Sequence, residues 1–306
     1  MVTSSSNPYS FLSGFAQDRN LGRVIAQVDE LKDAGSTSTT ILSWTRENGR
    51  WFSFRLDWHA TRICVVEKPI RQLIATGPAG LVSINTREGA IEEVIDSSDN
   101  GPRRRGDIRD LRLIGEHVYV TGMSRQVYRR EGQDDWARRD DGVVQAPGKL
   151  NVSGFNAIDG LSETDIYAVG FGGEIWRCQE NQWHQVDSPT NLILHRVRVI
   201  NTDIAYASGQ EGVLLRGKGD IWEPIFHDSV SDDLWGMEWY RGNLYVACDS
   251  GIFVLTKDDD LKQVDIGLTG KETFRHLHQN DGVMWSFGPK HILWTEDGSL
   301  WHDITP

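Results

Sequence analysis

The strongest constraint on the fold of this chain is an internal repeat of a short two-strand pattern. Each copy has an apolar run, a break that usually contains glycine, and a second apolar run, as in VYVTGMSRQVY, IYAVGFGGEIW, AYASGQEGVLL, LYVACDSGIFV and MWSFGPKHILW. The breaks fall 45, 48, 39, 39 and 40 residues apart, at Gly77, Gly122, Gly170, Gly209, Cys248 and Gly288. Two apolar runs joined by a short turn predict a β-hairpin in each copy.

A large apolar residue follows each break at a nearly fixed distance. It lies 13 or 14 residues after the break, at Ile91, Trp136, Trp183, Trp222, Leu261 and Trp301. The segment ILSWTRENGRWFSF adds an earlier pair, Trp44 and Trp51, with the same spacing as Trp294 and Trp301. Counting from Trp51 gives seven copies. Because tryptophan is a rare residue, its recurrence at one offset indicates a repeated structural unit in which it packs between neighbours.

A period of about 40 to 50 residues without helical patterning is typical of propeller blades. Each repeat has room for four strands of about five or six residues. In one copy they read LHRVRVI, DIAYASG, GVLLRG and WEPIFH. The predicted fold class is therefore all-β, a seven-bladed β-propeller over residues 41–306.

In the first copy of the repeat, the sequence pattern identifies only two of the four strands. Its outer hairpin is clear, but its inner strands must come from the residues before position 40. The segment GRVIAQVDELKDAG fits either those strands or an amphipathic helix. We therefore expect residues 1–40 to form an N-terminal segment that is partly disordered or helical, with six blades plus an N-terminal hairpin as the alternative architecture.

Composition bounds the class and the compartment. Hydrophobic residues make up 39% of the 306 residues, enough to bury a core without metal or disulfides. The first thirty residues lack the basic start and apolar run of a secretory signal, and no apolar stretch is long enough to span a membrane. Three cysteines, far apart in strand-like runs, predict free thiols. We expect a cytoplasmic protein that does not bind membranes.

The repeats resemble those of bacterial propellers of the Asp-box and Ycf48-like kind, related to WD40 and YVTN repeats. The best copy is TEDGSLW, in which Asp297 and Gly298 form the turn before Trp301. ENQW, KGDIW and GQDDW keep only a polar turn before tryptophan, so the box is degenerate. The resemblance covers roughly residues 40–306 and implies the propeller fold. It does not select a function, because sialidases, photosystem assembly factors and toxin-blocking proteins all use such repeats.

No pattern in the chain predicts catalysis. Sialidase-like propellers group arginines around a central funnel, but Arg103, Arg104 and Arg105 lie together in one polar linker. His276 and His278 are two apart and would share a strand face, yet no third metal ligand is evident nearby. GFGG at residues 170–173 lies inside a hairpin and does not open a helix, unlike a phosphate-binding loop. We expect no catalytic residues, no metal and no cofactor.

The charge balance indicates the kind of partner. A formal net charge of −12 disfavours nucleic acid and fits a basic protein. In a propeller, the loops between second and third strands and the connections between blades emerge on one face, where partners commonly dock. That face is predicted to bind the partner through Met123, Arg125, Phe171, Asn191, Leu192, Glu211, Asp232, Asp233, Trp235, Asp249 and Lys290.

The function expected from these observations is non-enzymatic protein binding. The leading hypothesis is a cytoplasmic immunity-type inhibitor that masks a basic, nuclease-like toxin and is a monomer apart from its partner. Two alternatives remain, an assembly scaffold of the Ycf48-like kind and a sialidase-like carbohydrate-active enzyme.

Overall fold

The computed structural model describes residues 7–145, 152–268 and 272–306. Across these residues the chain forms seven four-stranded antiparallel sheets, each made of four strands that follow one another in sequence. We call each sheet a blade and number the blades in chain order. The fold is a seven-bladed β-propeller, which confirms the prediction from the repeat.

Blades 1 to 4 contain the first sixteen strands. Blade 1 has β1 (Tyr9–Asp18), β2 (Leu21–Val28), β3 (Thr39–Thr45) and β4 (Arg50–Leu56). Blade 2 has β5 (Arg62–Val66), β6 (Gln72–Thr76), β7 (Leu81–Asn85) and β8 (Ala90–Val94). Blade 3 has β9 (Ile108–Ile114), β10 (His117–Gly122), β11 (Val127–Gly132) and β12 (Asp135–Arg138). Blade 4 has β13 (Phe155–Ser162), β14 (Asp165–Gly170), β15 (Ile175–Gln179) and β16 (Gln182–Val186).

Blades 5 to 7 contain the remaining twelve strands. Blade 5 has β17 (Leu194–Asn201), β18 (Ile204–Gly209), β19 (Leu214–Lys218) and β20 (Ile221–Pro224). Blade 6 has β21 (Gly236–Tyr240), β22 (Asn243–Cys248), β23 (Gly251–Leu255) and β24 (Leu261–Gln263). Blade 7 has β25 (His276–Asn280), β26 (Val283–Phe287), β27 (Ile292–Thr295) and β28 (Trp301–Asp303). Two short helices, α1 (Asp29–Asp33) and α2 (Pro102–Arg105), follow β2 and β8.

Burial falls from the second strand of a blade to the fourth. In β10, β14 and β18 every residue after the first is buried, whereas β8 buries one residue of five. Second strands lie between two neighbouring blades and are covered on both faces, so they read as continuous apolar runs. Fourth strands lie at the rim and carry polar residues.

The first strands of neighbouring blades lie side by side around the central channel, and β1 contacts β25 and β26 to close the ring. No strand is exchanged across this closure, because β1 pairs only within blade 1 and β28 only within blade 7. Side chains, together with a backbone hydrogen bond from the N–H of Phe11 to the oxygen of Pro289 at 2.9 Å, therefore hold the two ends together. The Trp285 ring lies on Gly22, where any Cβ would overlap it, and packs edge-on against Trp44 at 5.6 Å.

Residues 9–28 are part of the propeller, so the boundary expected at residue 40 does not match the structure. They form β1 and β2, the two inner strands of blade 1, and only Asp29–Asp33 is helical. The alternative of six blades plus a hairpin is excluded. The sequence was ambiguous because β2 is covered on both faces and shows no clean alternation, whereas β-branched Val24, Ile25 and Val28 favour a strand.

Polar side chains on the first strands bind the backbone of the next blade. In four places a carboxylate or imidazole accepts a hydrogen bond from a backbone N–H of the following first strand. The pairs are Asp110 with Ile158 (3.1 Å), Asp159 with Val199 (2.8 Å), Glu238 with Gln279 (3.4 Å) and His278 with Ala16 (3.1 Å). These contacts fix the first strands around the channel without a continuous sheet.

The three cysteines are free and buried, in blades 2, 4 and 6. Burial raises the pKa of Cys64 to about 12 and that of Cys178 to about 11, and it also raises the pKa of Cys248. Because the thiolate is the reactive form, we expect no reaction of the native protein with a thiol reagent at pH 8. Denaturation without reductant should release three thiols. Fewer than three would contradict the assignment, and rapid reaction of the native protein would contradict their burial.

Two histidines of β25, the half-buried His276 and the buried His278, predict a loss of stability in mild acid. The pKa values of His276 and His278 lie well below 6.5, chiefly because burial disfavours the charged ring, with nearby arginines adding to the shift. Below pH 6.5 the unfolded chain binds protons that the folded chain does not. The free energy of unfolding should therefore fall by up to about 1.4 kcal/mol per pH unit for each histidine.

Chemical denaturation at pH 7.5, 6.5 and 5.5 measures this slope. His278→Gln removes one of the two groups and keeps an acceptor for the Ala16 N–H, so its slope should be shallower than that of the wild type. An identical slope in the variant would show that His278 does not contribute.

Candidate functional site

One face of the ring collects the loops between second and third strands and the connections between blades. We call it the loop face. Backbone hydrogen bonds tie each loop to the preceding or following connection, as between Met123 and Asp107 (2.9 Å), Phe171 and Gly154 (3.1 Å), Gln210 and Ile193 (2.9 Å), and Phe274 and Cys248 (3.1 Å). All eleven residues expected to bind a partner lie on this face, in blades 3 to 7 or the connections between them.

Two of the expected carboxylates line a cleft between blades 6 and 7. Asp232 and Asp249 lie there with Asp265 and Glu272, and the cleft has a volume of about 690 Å³. Its remaining described lining is uncharged and includes an apolar part, formed by Val264, Ile266, Leu268 and Phe274. We call this the acidic cleft. Four carboxylates line it, without a lysine or arginine among the described lining residues, and two of the four have neighbours, Asp249 in Arg275 and Glu272 in His291.

Trp235 lies in the connection between blades 5 and 6 and contacts Arg275, which pairs with Asp249 of the acidic cleft. Its ring stacks on His195 at 4.2 Å, and the guanidinium of Arg275 lies over it at 4.5 Å. Arg275 also forms an ion pair with Asp249 at 3.0 Å. Asp233 accepts the backbone N–H of Glu211 at 3.1 Å and lies 3.4 Å from Nε2 of His195. Asp233 therefore holds the loop together, while Glu211 and Asp249 are exposed.

The residues of blades 3 and 4 that were expected to bind a partner contact other residues of this chain. Nε of Arg125 donates to the buried carboxylate of Glu174 at 2.7 Å, and its guanidinium lies over Trp176. Phe171 is half-buried beneath Arg109 at 5.4 Å. Met123 forms a single β-bridge with Gly154. These contacts hold the three residues in place on the loop face.

The remaining residues that were expected to bind a partner, Asn191, Leu192 and Lys290, do not form one patch with those of blades 5 and 6. Asn191 is exposed and Leu192 half-buried in the connection between blades 4 and 5. Lys290 donates to the backbone oxygen of Tyr9 at 3.0 Å and pairs with Asp29, so it belongs to the ring closure. The structure thus groups the residues of blades 5 and 6 and separates the others from them.

A cluster of arginines at the mouth of the channel was not predicted from the sequence. A cavity of about 210 Å³ on the loop face is lined by Arg62, Arg109, Arg196 and Arg275, together with Leu12, Ser13, Asn156, His195, Trp235 and His276. We call it the channel mouth. The only cluster of arginines recognised in the sequence was Arg103–Arg105, which lie in α2. The basic residue at or near the start of a first strand in four separate repeats was not recognised.

Below the channel mouth the charges are paired. Nε of Arg112 donates to Asp159 at 3.0 Å, and Arg198 forms an ion pair with Glu238. Burial raises the pKa of Glu238 to about 8, opposed chiefly by Arg112. Both deeper arginines therefore have a close carboxylate partner in the channel, whereas Arg109 and Arg196 at the mouth have none among the described residues.

The structure offers no metal site among the described residues, where no three His, Cys, Asp or Glu side chains come together. His276 and His278 lie on one first strand, but Nδ1 of His278 already accepts the N–H of Ala16. In the described part of the chain, no helix is long and apolar enough to cross a membrane.

Solved structures place this chain among the β-propellers. The WD40 repeats of RRP9 superpose with a TM-score of 0.66 over 91% of this chain and 87% of theirs, at 12% identity. YCF48 bound to D1 peptide gives a TM-score of 0.61 over 80% of this chain and 81% of its own, at 13% identity. YCF48 from Cyanidioschyzon merolae gives 0.59 over 80% and 84%, at 16% identity. These similarities establish the fold alone.

A relative that is similar in sequence identifies the family of this chain. The immune protein Tsi7 of Pseudomonas aeruginosa is 34% identical over 309 aligned residues, which cover 99% of this chain and 100% of Tsi7. No protein-family model matches the chain. The class is thus a seven-bladed propeller of the immunity type. The chain belongs to the family of the immune protein Tsi7.

Proposed function

We propose that this protein is a non-enzymatic immunity protein that binds and masks a basic, nuclease-like toxin through its loop face. The observation that carries the proposal is the acidic cleft, which is lined by four carboxylates and by apolar side chains. The carboxylates belong to Asp232, Asp249, Asp265 and Glu272. Membership of the Tsi7 family supports the immunity role. An immunity protein acts on its toxin by binding, so the surface that binds decides which toxin it neutralises.

The charge of the protein supports a basic partner. A nuclease must present cations to the phosphates of its substrate. A surface that covers such a region gains affinity and association rate from carboxylates placed opposite. The net charge of −12 adds long-range attraction for a basic protein. The acidic cleft then selects where on the loop face the partner's lysines or arginines bind.

Trp235 would anchor the complex beside the cleft. Aromatic side chains next to desolvated charges dominate the binding energy of many interfaces. Trp235 is half-buried and held by His195 and Arg275, so it loses little conformational entropy when a partner covers it.

We also propose that the protein acts in the cytoplasm and is a monomer apart from its toxin. Three free cysteines fit a reducing compartment. A toxin-blocking protein must be present where the toxin's substrate lies, which for a nuclease is the cytoplasm.

Inhibition of a purified toxin tests this function. The proteins encoded beside this chain in its genome are purified, and each one that cleaves plasmid DNA is assayed with increasing amounts of this protein. We expect complete inhibition at one equivalent, and no DNA cleavage or glycan hydrolysis by this protein alone. Persistent cleavage at a tenfold excess, or turnover by this protein alone, would refute the proposal.

A further inference from the structure

We propose that the channel mouth is a binding site for one compact oxyanion, a carboxylate or a phosphate-type group. Four guanidinium groups from blades 2, 3 and 5 and the connection into blade 7 line it, and no carboxylate is among its described lining residues. This proposal goes beyond the immunity function and does not depend on it, because it rests only on the channel.

Three of the four guanidinium groups, those of Arg62, Arg109 and Arg196, have no carboxylate within hydrogen-bond distance among the described residues. Arg196 makes one hydrogen bond among the described residues, from Nη1 to the backbone oxygen of His195 at 3.2 Å. Nη1 of Arg62 donates to the backbone oxygen of Thr61, and its buried Nε has no hydrogen-bond partner in the described chain. A buried charged donor without an acceptor is costly, and an anion in the mouth would supply the acceptor.

Asp110, the nearest carboxylate to Arg62 and Arg196, compensates their charge only in part, because burial and the neighbouring arginines still lower the pKa of both. Asp110 lies 3.8 Å from Nε of Arg62, beyond hydrogen-bond distance. Its other oxygen already accepts the N–H of Ile158. The side chain of Asp110 therefore serves the contact between blades 3 and 4.

The guanidinium groups of Arg109 and Arg275 are held in place by their neighbours. Nε of Arg109 donates to Asn156 at 2.6 Å, and its guanidinium lies over Phe171. Arg275 lies over Trp235 and reaches Asp249 outside the mouth. Such fixed donors bind an anion without the entropy cost of ordering free side chains.

The arginines repel one another in the absence of an anion. Burial and the charge of Arg196 lower the pKa of Arg62 to about 10. Burial also lowers the pKa of Arg196, with Arg112 and Arg109 adding to the shift. The pKa of His276, beside them, is well below 6.5 for the same reasons. A bound anion would relieve this repulsion.

The size of the cavity limits the ligand. Its volume of about 210 Å³ is smaller than the roughly 300–1,000 Å³ of pockets that enclose drug-sized ligands. A nucleotide or a nine-carbon sugar would not fit within it. A free phosphate fits, and so does the carboxylate at the end of a partner's Asp or Glu side chain.

Thermal unfolding at low ionic strength tests the site. Inorganic phosphate and acetate are each titrated to 20 mM against sodium chloride of equal ionic strength. Acetate represents a side-chain carboxylate, and phosphate represents a free tetrahedral anion. We expect a saturable rise in Tm of about 2–5 °C for at least one of them beyond the effect of chloride. A response to one alone identifies the source.

Two substitutions and a control make the test specific. Arg196→Gln and Arg62→Gln should each weaken anion binding at least about tenfold. Without anion they should unfold at or above the wild-type temperature, because repulsion is removed. Arg103→Gln, an exposed arginine of α2 on the same face, should behave as the wild type. The proposal is overturned if neither anion exceeds chloride, or if both variants respond as the wild type does.

Discussion

Replacing Trp285 with alanine should lower the free energy of unfolding by about 3–5 kcal/mol, because it opens a large cavity at the ring closure. The side chain is 1% exposed, lies against Gly22 and packs against Trp44. No backbone ladder joins blades 1 and 7, so no hydrogen-bonded strand compensates for the lost contact. Urea denaturation followed by circular dichroism measures the loss.

Trp222→Ala is the matched comparison. Trp222 packs edge-on against Tyr167 at 5.7 Å, between blades 4 and 5 in the interior of the series, and should also cost about 3–5 kcal/mol. Only Trp285→Ala should increase amide hydrogen exchange in β1, because only that variant loosens the closure. An unchanged melting temperature in Trp222→Ala would show that this residue does not support packing between blades. Equal exchange of β1 in both variants would contradict the role given to Trp285.

The double variant Asp232→Lys/Asp249→Lys should weaken capture of a basic toxin at least about 100-fold at low salt, provided that the proposed function holds. Both carboxylates line the acidic cleft, and their reversal sets like charges against the partner. The Asp249–Arg275 pair is partly exposed on both sides, so its loss should change stability little. Affinity is measured by calorimetry at low and at physiological salt, and the deficit should shrink as salt screens the charges.

A second double variant separates local from global charge. Asp203→Lys/Asp258→Lys makes the same change in net charge on the opposite face, where Asp203 follows β17 and Asp258 follows β23. It should lower the association rate modestly and leave the dissociation rate unchanged. If both double variants lose affinity equally, net charge and not the acidic cleft is responsible. Asp233 is left intact because it accepts the Glu211 N–H and its loss would disturb the loop.

The sequence predicted the blades because each outer hairpin carries its own apolar runs and turn. The degenerate box at the end of the chain is an example. Oδ1 of Asp297 accepts the N–H groups of Ser299 and Leu300, both at 2.8 Å, which lowers the pKa of Asp297 to about 2. Gly298 follows in the left-handed region with φ of +81°. Such turns are local, so a single sequence reveals them.

The inner strands of blade 1 and the channel mouth could not be predicted in the same way. Strand β2 is covered by two other blades, and that burial on both faces removes the alternation by which a strand is recognised. Arg62, Arg109 and Arg196 are separated by 47 and 87 residues in sequence and meet only because the ring places the first strands side by side. The order of the strands predicts that these loops share one face. The contacts that their side chains make there could not be predicted, because partners such as Glu174 and Asp29 are distant in sequence.

The absence of a shared strand between blades 1 and 7 in the described chain also sets an order of events during synthesis. Blade 1 leaves the ribosome first, and the blade that covers its open flank leaves last. Until then, Trp44 and the other apolar residues that face Trp285 have no neighbour and are exposed to solvent and to other nascent chains. Each of the seven sheets can form as soon as its own four strands have been made, but the ring cannot. The growing chain is therefore an open arc, and the apolar flank of blade 1 stays exposed until blade 7 has been made. This flank is the surface that a chaperone would protect.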